Sequence, residues 1–345
     1  MNVSGAVVVV GLGLLGGSVA RTLAAGGHRV VGVDPSPATR AAARACGIAA
    51  VADATGIAGA SGPGGGPVGA PSVVVLAVPL RAMGTAAAAV APLVGAGTVL
   101  TDVGSVKAAV RAAVDAAGLG ERYVGAHPMA GTERSGFEAS SADLLPGARW
   151  AVTVAPGTRP DALATVLDLV TGPLGGTVTL LDDAAHDRAV ALVSHVPHVL
   201  ATELLGLVAR SGSAGPALAL AAGSFRDGTR VARTDPRRTE AMVVQNASAV
   251  APLLREAADA LSALAQRLER GAAVAGFFDA PDPVREALDR GSVVPGPRAG
   301  TPPGRELLGA PGWRERLLGA GAAGAVVVGV EEGPAGTTVL QHVRA

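Results

Sequence analysis

Three groups of residues in this chain have types and spacings that suit chemistry. The first is Gly11-Leu12-Gly13-Leu14-Leu15-Gly16, which directly follows the apolar run Ala6–Val10 and opens an Ala-rich helical stretch. Glycines in this register permit a tight turn, close approach of the backbone to a pyrophosphate, and tight packing of helix on strand, with the helix N-terminus facing the phosphates. Asp34 closes the next apolar run 18 residues after Gly16. A carboxylate there can bind both ribose hydroxyls and repels a 2′-phosphate, which favours NAD over NADP; Arg40, nearby, keeps NADP open. The second group is Ala77-Val78-Pro79 and Asp102-Val103-Gly104-Ser105-Val106-Lys107, at the ends of two further apolar runs. Open α/β sheets bind ligands at the carboxyl ends of their strands. Ala77, Val78, Pro79 and Asp102 therefore join Gly11, Gly13, Leu14, Leu15, Gly16 and Asp34 as candidate cofactor contacts. Ser105 suits a helix N-cap, and its hydroxyl can meet a substrate from the same place. The third group centres on His127, in Gly125-Ala126-His127-Pro128-Met129-Ala130-Gly131. A neutral imidazole at a strand end can accept a proton from a substrate hydroxyl as hydride leaves its carbon. A structural hydrogen bond within the loop explains the same residue equally well.

The elements that must position these groups follow from the pattern. Strands are predicted at 6–10, 29–33, 72–77, 98–102, 123–126, 150–154 and 177–180, and helices at 14–25, 38–46, 81–91, 105–117 and 160–171. The strands are short, β-branched and apolar without alternation, as strands buried on both faces are. Their order with the helices predicts an α/β Rossmann-type fold, a doubly wound parallel sheet, over residues 1–180. The Gly/Pro-rich stretch 53–71 reads as a flexible insertion. From Asp182 the pattern changes to long helices. One runs from Asp182 to about Ala209, a second spans 216–222, and a loop over 224–234 leads to a third from Asp235 to Arg270, with Pro236 at its first position. Residues 181–280 thus form an all-α helical domain suited to dimerisation. Residues 281–345 read as a small appendage with one amphipathic piece near 313–318 and strand-like runs at 324–330 and 337–343.

Composition narrows the function. Lys+Arg 28 balance Asp+Glu 28, so no net field recruits nucleic acid or an anionic membrane, and few aromatic residues are available for base stacking. Gly 49 and Pro 24 show no triplet period, which excludes collagen. A lone Cys46 points to a reducing, cytoplasmic setting. No leader-like segment is read at the N-terminus and no apolar stretch reads as a membrane span. Of the basic residues only Lys107 is lysine. Codon bias accounts for the arginines, and the position of Lys107 in the first turn of a helix at the crevice asks for a compact ammonium.

In this order, GLGLLGGS, DVGSVK, HPMAGTERSGFE, HDRAVALVSHVPH and SFRDGTRVARTDP closely resemble the prephenate/arogenate dehydrogenase family of tyrosine biosynthesis, over roughly residues 5–270. The resemblance implies a Rossmann domain followed by a helical dimerisation domain, and a homodimer. The activity it implies is NAD-dependent oxidation of prephenate with loss of carbon dioxide, giving 4-hydroxyphenylpyruvate, with arogenate as the alternative substrate. It further implies that His127 accepts the hydrogen bond of the substrate hydroxyl with Ser105 sharing it, and that Arg230 binds a carboxylate. Arg226 would hold the pyruvyl carboxylate. Asp227 and Glu133 would orient these arginines and gate the pocket, with Thr132 beside them. His198 is the implied substrate contact and His195 its neighbour on the helix.

The histidines of that helix also raise a metal site, since His195-x-x-His198 places two rings on one face. Nine residues separate His186 from His195, which at about 100° per residue sets them on opposite faces. With no third ligand, no metal is expected, and His186-Asp187 at the helix start reads as structural. Other Rossmann-plus-helices dehydrogenases and imine reductases lean on a lysine in the helical domain, and there is none here. A non-catalytic dinucleotide sensor would need neither His127 nor Arg230.

Overall fold

The computed structural model describes residues 5–60, 69–131, 134–289 and 303–342. In chain order the first part contains β1 (Ala6–Val10), α1 (Leu14–Ala25), β2 (Val30–Val33), α2 (Pro37–Ala45), β3 (Ala49–Val51), β4 (Pro71–Leu76), α3 (Met83–Val90), β5 (Val99–Asp102), α4 (Lys107–Ala116), β6 (Tyr123–Pro128), β7 (Arg149–Thr153), α5 (Pro160–Thr171) and β8 (Thr177–Leu181). The strands are apolar throughout because both faces are covered. In β1, Val7 and Val9 enter one core cluster with residues of α1 and α5, while Ala6, Val8 and Val10 enter another with residues of α3 and α4. This is the period-2 alternation of a sheet between two helical layers.

Strands β3-β2-β1-β4-β5-β6 are parallel neighbours in that order, so the ends of β1, β4, β5 and β6 line one edge. The sheet is not parallel throughout, as the sequence had suggested: β7 lies antiparallel to β6. A parallel return would need a crossover, but the connection 129–148 stays at the carboxyl edge. There Phe137 is buried in the core cluster that includes α1, and Ser141 N–H donates to Ser18 Oγ at 3.1 Å. The short strand β3 was not foreseen; three residues are too few to show a pattern. Within the expected insertion 53–71, residues 54–59 form a 3-10 turn capped by Asp53, while residues 61–68 lie outside the described ones.

The helical part comprises α6 (Asp183–Val190), a π-helical turn over Ala191–His195, α7 (Val196–Arg210), α8 (Ala214–Ala219), α9 (Gly223–Thr229), a 3-10 turn Arg230–Arg233, α10 (Pro236–Gln245), α11 (Ala247–Glu269), α12 (Ala275–Asp279) and α13 (Asp282–Asp289). Several features depart from the sequence reading. The first long helix is interrupted before Pro197, which has no N–H to offer the preceding turn. The third is broken at Asn246, whose buried side chain turns back to α6. The expected loop 224–234 is instead α9 and its 3-10 continuation. By length and composition alone, Asp183–Arg210 is apolar enough to cross a membrane, with a mean hydropathy of 1.4, contrary to expectation. Its buried His186, Asp187 and His195 are nevertheless hydrogen-bonded into the site described below.

Residues 304–342 form β9 (Gly304–Leu307), α14 (Trp313–Ala322), β10 (Val326–Gly333) and β11 (Gly336–His342). They extend the sheet of the first domain in the order β8-β10-β11-β9, all antiparallel. At Gly321 a Cβ would lie 1.9 Å from Leu180 O, so α14 lies directly on β8.

Candidate active site

The turn after β1 shows why three glycines are present. Gly11 has φ +94, and a Cβ there would lie 2.6 Å from Ala77 O. At Gly16 it would lie 1.9 Å from Gly11 O. These two are fixed by the close approach of chain segments. A Cβ at Gly13 meets nothing within 4 Å: it borders open space at the start of α1, where no side chain caps the helix. Leu14 is buried and Leu15 half-buried, so what they offer there is backbone N–H. Beside the turn, Asp34 accepts from Leu12 N–H at 3.0 Å and Ser36 N–H at 2.9 Å. Arg40 is tied down on the carbonyls of Asp34 and Pro35, each at 2.8 Å. Ala77 and Val78 are half-buried and Pro79 exposed at the end of β4. An uncapped helix start, an open cradle at Gly13 and a carboxylate at the next strand end fit a dinucleotide.

Asp102 is a correction. Its carboxylate is wholly buried and fully engaged by the protein. It pairs with Lys107 Nζ and accepts from Tyr123 Oη at 2.8 Å, Gly104 N–H at 2.8 Å and Ala126 N–H at 3.2 Å, leaving no oxygen for a cofactor. The lysine is as buried as its partner, and Nζ also donates to Ala126 O at 2.8 Å. Burial lowers the Lys107 pKa against the opposing pull of Asp102, and burial beside Asp102 raises Tyr123 well above its usual value. Lys107 thus ties β5, α4 and β6 together one residue before His127.

Ser105 does not cap α4. The helix starts at Lys107, and its first N–H groups are received by Asp187 of α6, Lys107 N–H at 2.7 Å and Ala108 N–H at 2.9 Å. Ser105 is left half-buried, with its hydroxyl unpaired among the described residues. Asp187 also meets His186 Nδ1 at 2.8 Å, and His186 Nε2 lies 3.0 Å from His127 Nδ1. His186 therefore belongs to the site. His195 is tied to the same region through Asn246, and the π-helical turn over Ala191–His195 breaks the 100° phase on which the opposite-face placement rested. Asn246 donates to Asp187 O at 2.8 Å and its amide nitrogen lies 3.0 Å from His195 Nδ1. His195 Nε2 is buried and has no hydrogen-bond partner among the described residues. His198 is half-buried, with Nδ1 2.8 Å from Ser194 O.

The cluster is electrostatically neutral at its histidines. Burial pushes His127 well below its usual range, and His186, Lys107 and His195 push the same way. Burial lowers His186 too, against the pull of Asp187, and takes His195 down to about 4. Burial alone would raise Asp187, but its bonds from His186, Lys107 N–H and Ala108 N–H outweigh that and hold it ionised. Among the described residues no group of three or more His, Cys, Asp or Glu could hold a metal ion.

Comparison with known proteins identifies the family. Residues 19–180 match the family model of the prephenate dehydrogenase nucleotide-binding domain, and residues 182–276 match that of the prephenate dehydrogenase dimerization domain. The chain belongs to the prephenate dehydrogenase family. A cyclohexadienyl dehydrogenase from Zymomonas mobilis is 38% identical over 184 residues, which cover 53% of this chain and 62% of the relative. The match thus spans less than two thirds of that relative's length. Among solved structures, a candidate prephenate dehydrogenase from Corynebacterium glutamicum superposes with TM-score 0.79 and 33% identity, covering 94% of this chain and 98% of the other. The prephenate dehydrogenase of A. aeolicus in complex with hydroxyphenyl propionate and NAD+ gives TM-score 0.69 and 27% identity, over 84% and 96%.

Within this family member, the remaining expected residues do not join the histidine cluster. Arg226 and Asp227 lie on α9 and Arg230 opens the 3-10 turn that packs on α7; all three are exposed. Among the described residues neither guanidinium has an acidic partner. Thr132 and Glu133 lie outside the described residues. Sequence reasoning missed His186, Asp187 and Asn246 as parts of the site, because each is brought in by contacts between helices far apart in the chain. It also missed Arg238, whose Nη2 would lie 3.5 Å from a Cβ at Gly131, in the loop after His127.

Proposed function

We propose that this chain is a cytoplasmic, homodimeric, NAD-dependent prephenate dehydrogenase of tyrosine biosynthesis. It would convert prephenate to 4-hydroxyphenylpyruvate with release of carbon dioxide. The observation that carries this reading is a neutral, half-buried His127 at the carboxyl end of β6, on the same sheet edge as the glycine cradle. NAD, when bound, takes up the hydride from the hydroxyl-bearing ring carbon. The turn Gly11–Gly16 with the first amides of α1 would hold its pyrophosphate, and Asp34 its ribose. The substrate carries its own driving force, aromatisation, so the protein has mainly to orient it, hold the hydroxyl proton while hydride and carbon dioxide leave, and return that proton to the phenolate oxygen of the product. His127 Nδ1 is occupied by His186, which leaves Nε2 to accept the proton of the ring hydroxyl, with Ser105 Oγ sharing that hydrogen bond. Two carboxylates on the substrate call for two cations, and Arg230 and Arg226 supply planar forks suited to them. In this reading Asp227 frames those arginines, and His198 and His195 line the substrate side.

The test is a steady-state assay of NADH formation with prephenate and with arogenate in parallel, repeated with NADP. Turnover of prephenate with NAD is expected. Turnover of arogenate alone would move the substrate within the family, and turnover of neither would refute the reading.

A further inference from the structure

We propose that His186 and Asp187 are positioning residues that hold His127 as its Nδ1–H tautomer, so that the Nε2 lone pair is the one presented to substrate. The inference rests on the reading of His127 as proton acceptor and adds how its acceptor nitrogen is selected. Asp187 anchors the chain of hydrogen bonds. Its two oxygens receive the first N–H groups of α4, Lys107 at 2.7 Å and Ala108 at 2.9 Å. They therefore sit at the positive end of a helix dipole as an ionised acceptor. An ionised carboxylate oxygen 2.8 Å from His186 Nδ1 requires a proton on that nitrogen. A neutral imidazole carries only one, so His186 Nε2 is a lone pair. That lone pair lies 3.0 Å from His127 Nδ1, and two lone pairs cannot face each other at this distance. His127 Nδ1 must donate, and its Nε2 is left as the acceptor. The chain of donors runs in one direction, from His127 through His186 to Asp187.

The relay is also braced. Asn246 donates to the backbone carbonyl of Asp187 at 2.8 Å, which fixes the amide orientation, since an oxygen there would face an oxygen. Every link is buried or half-buried, so water does not compete for these bonds. As His127 takes a proton at Nε2, its Nδ1–H bond to His186 strengthens without any atom moving, which is a stabilisation prepared before the reaction.

Two measurements test this. In the full-length protein labelled with 15N-histidine, without substrate, His127 should give the Nδ1–H pattern at neutral pH; an Nε2–H pattern would overturn the proposal. In the assay, His186→Gln keeps an acceptor oxygen facing His127, whereas His186→Leu keeps only bulk. We expect kcat to fall about 100-fold in His186→Leu and less than about 10-fold in His186→Gln, with KM for substrate nearly unchanged in both. Asp187→Asn can turn its NH2 towards His186 and reverse the relay, and should cost at least as much as His186→Leu. Equal losses of kcat in His186→Gln and His186→Leu would overturn the proposal and leave His186 a packing residue. The tautomer measurement needs no turnover, so an inactive wild type would refute the proposed function and leave the relay separately decided.

Discussion

In its proposed role His127 must stay unprotonated to receive a proton, and its surroundings provide for that at the cost of acid sensitivity. Burial holds His127 well below its ordinary range and His195 at about 4. As pH falls, the unfolded chain therefore takes up these protons before the folded one does. The resulting stability is complete above an ordinary histidine pKa of about 6.5 and is lost as pH falls towards 4, by about 3 kcal/mol for His195 alone. Urea unfolding at pH 7 and pH 4.5 should show this fall in the wild type, and a smaller one in His195→Gln; an equal fall would contradict the assignment. For the same reason the acid limb of kcat should lie well below pH 6.5. Lys107 is the residue whose significance changed most. In the sequence it stood out only as the single lysine; in the fold it neutralises the wholly buried Asp102. Lys107→Met should strand that carboxylate and destabilise the protein by about 3–5 kcal/mol, read as a loss of Tm.

At the level of elements, the glycine turn separates into two roles that the motif does not distinguish. Gly16 has a backbone oxygen where a Cβ would go, whereas Gly13 faces open space. Gly16→Ala should lower Tm by several degrees. Gly13→Ala should leave Tm nearly unchanged and raise the Kd for NAD, measured by titration calorimetry. Loss of stability in Gly13→Ala with unaltered NAD binding would contradict the cradle. The helices α1 and α5 were legible to the residue in the sequence because clean Gly and Pro signals bound them, and β1 because its apolar run is uninterrupted. Less was legible of the helical part. Nothing local marks Asn246 as a break in a long helix, since the cause is a buried bond to Asp187 59 residues away. The capping of α4 by Asp187 was hidden for the same reason: Ser105 offered a plausible local cap, and a partner 79 to 80 residues distant won. The motifs pointed to His127 and the glycine turn as candidates; the network around His127 is a product of tertiary packing.

At the level of the whole molecule, the single chain leaves an apolar surface on its helical part. Leu192, Val193, Leu204 and Leu207 are 53%, 73%, 42% and 54% exposed, and large exposed apolar side chains mark candidate interaction surfaces. The family model covering this region is a dimerization domain, and the proposed homodimer would bury this face between two copies. Leu207→Asp should shift the protein towards monomer in sedimentation velocity at micromolar concentration; an unaltered dimer would place the interface elsewhere. The tail was expected as a separate appendage, yet β10 and β11 continue the sheet beyond β8, an arrangement that depends on edge pairing and leaves no local signal.

The account stands or falls on His127 as the group that takes the substrate's proton. The most direct measurement is kcat for NADH formation from prephenate by His127→Asn against the wild type, with substrate and NAD saturating. Asn preserves size and removes the basic nitrogen, so kcat should fall about 10²–10⁴-fold while KM changes little. Equal rates in the two proteins would contradict the account.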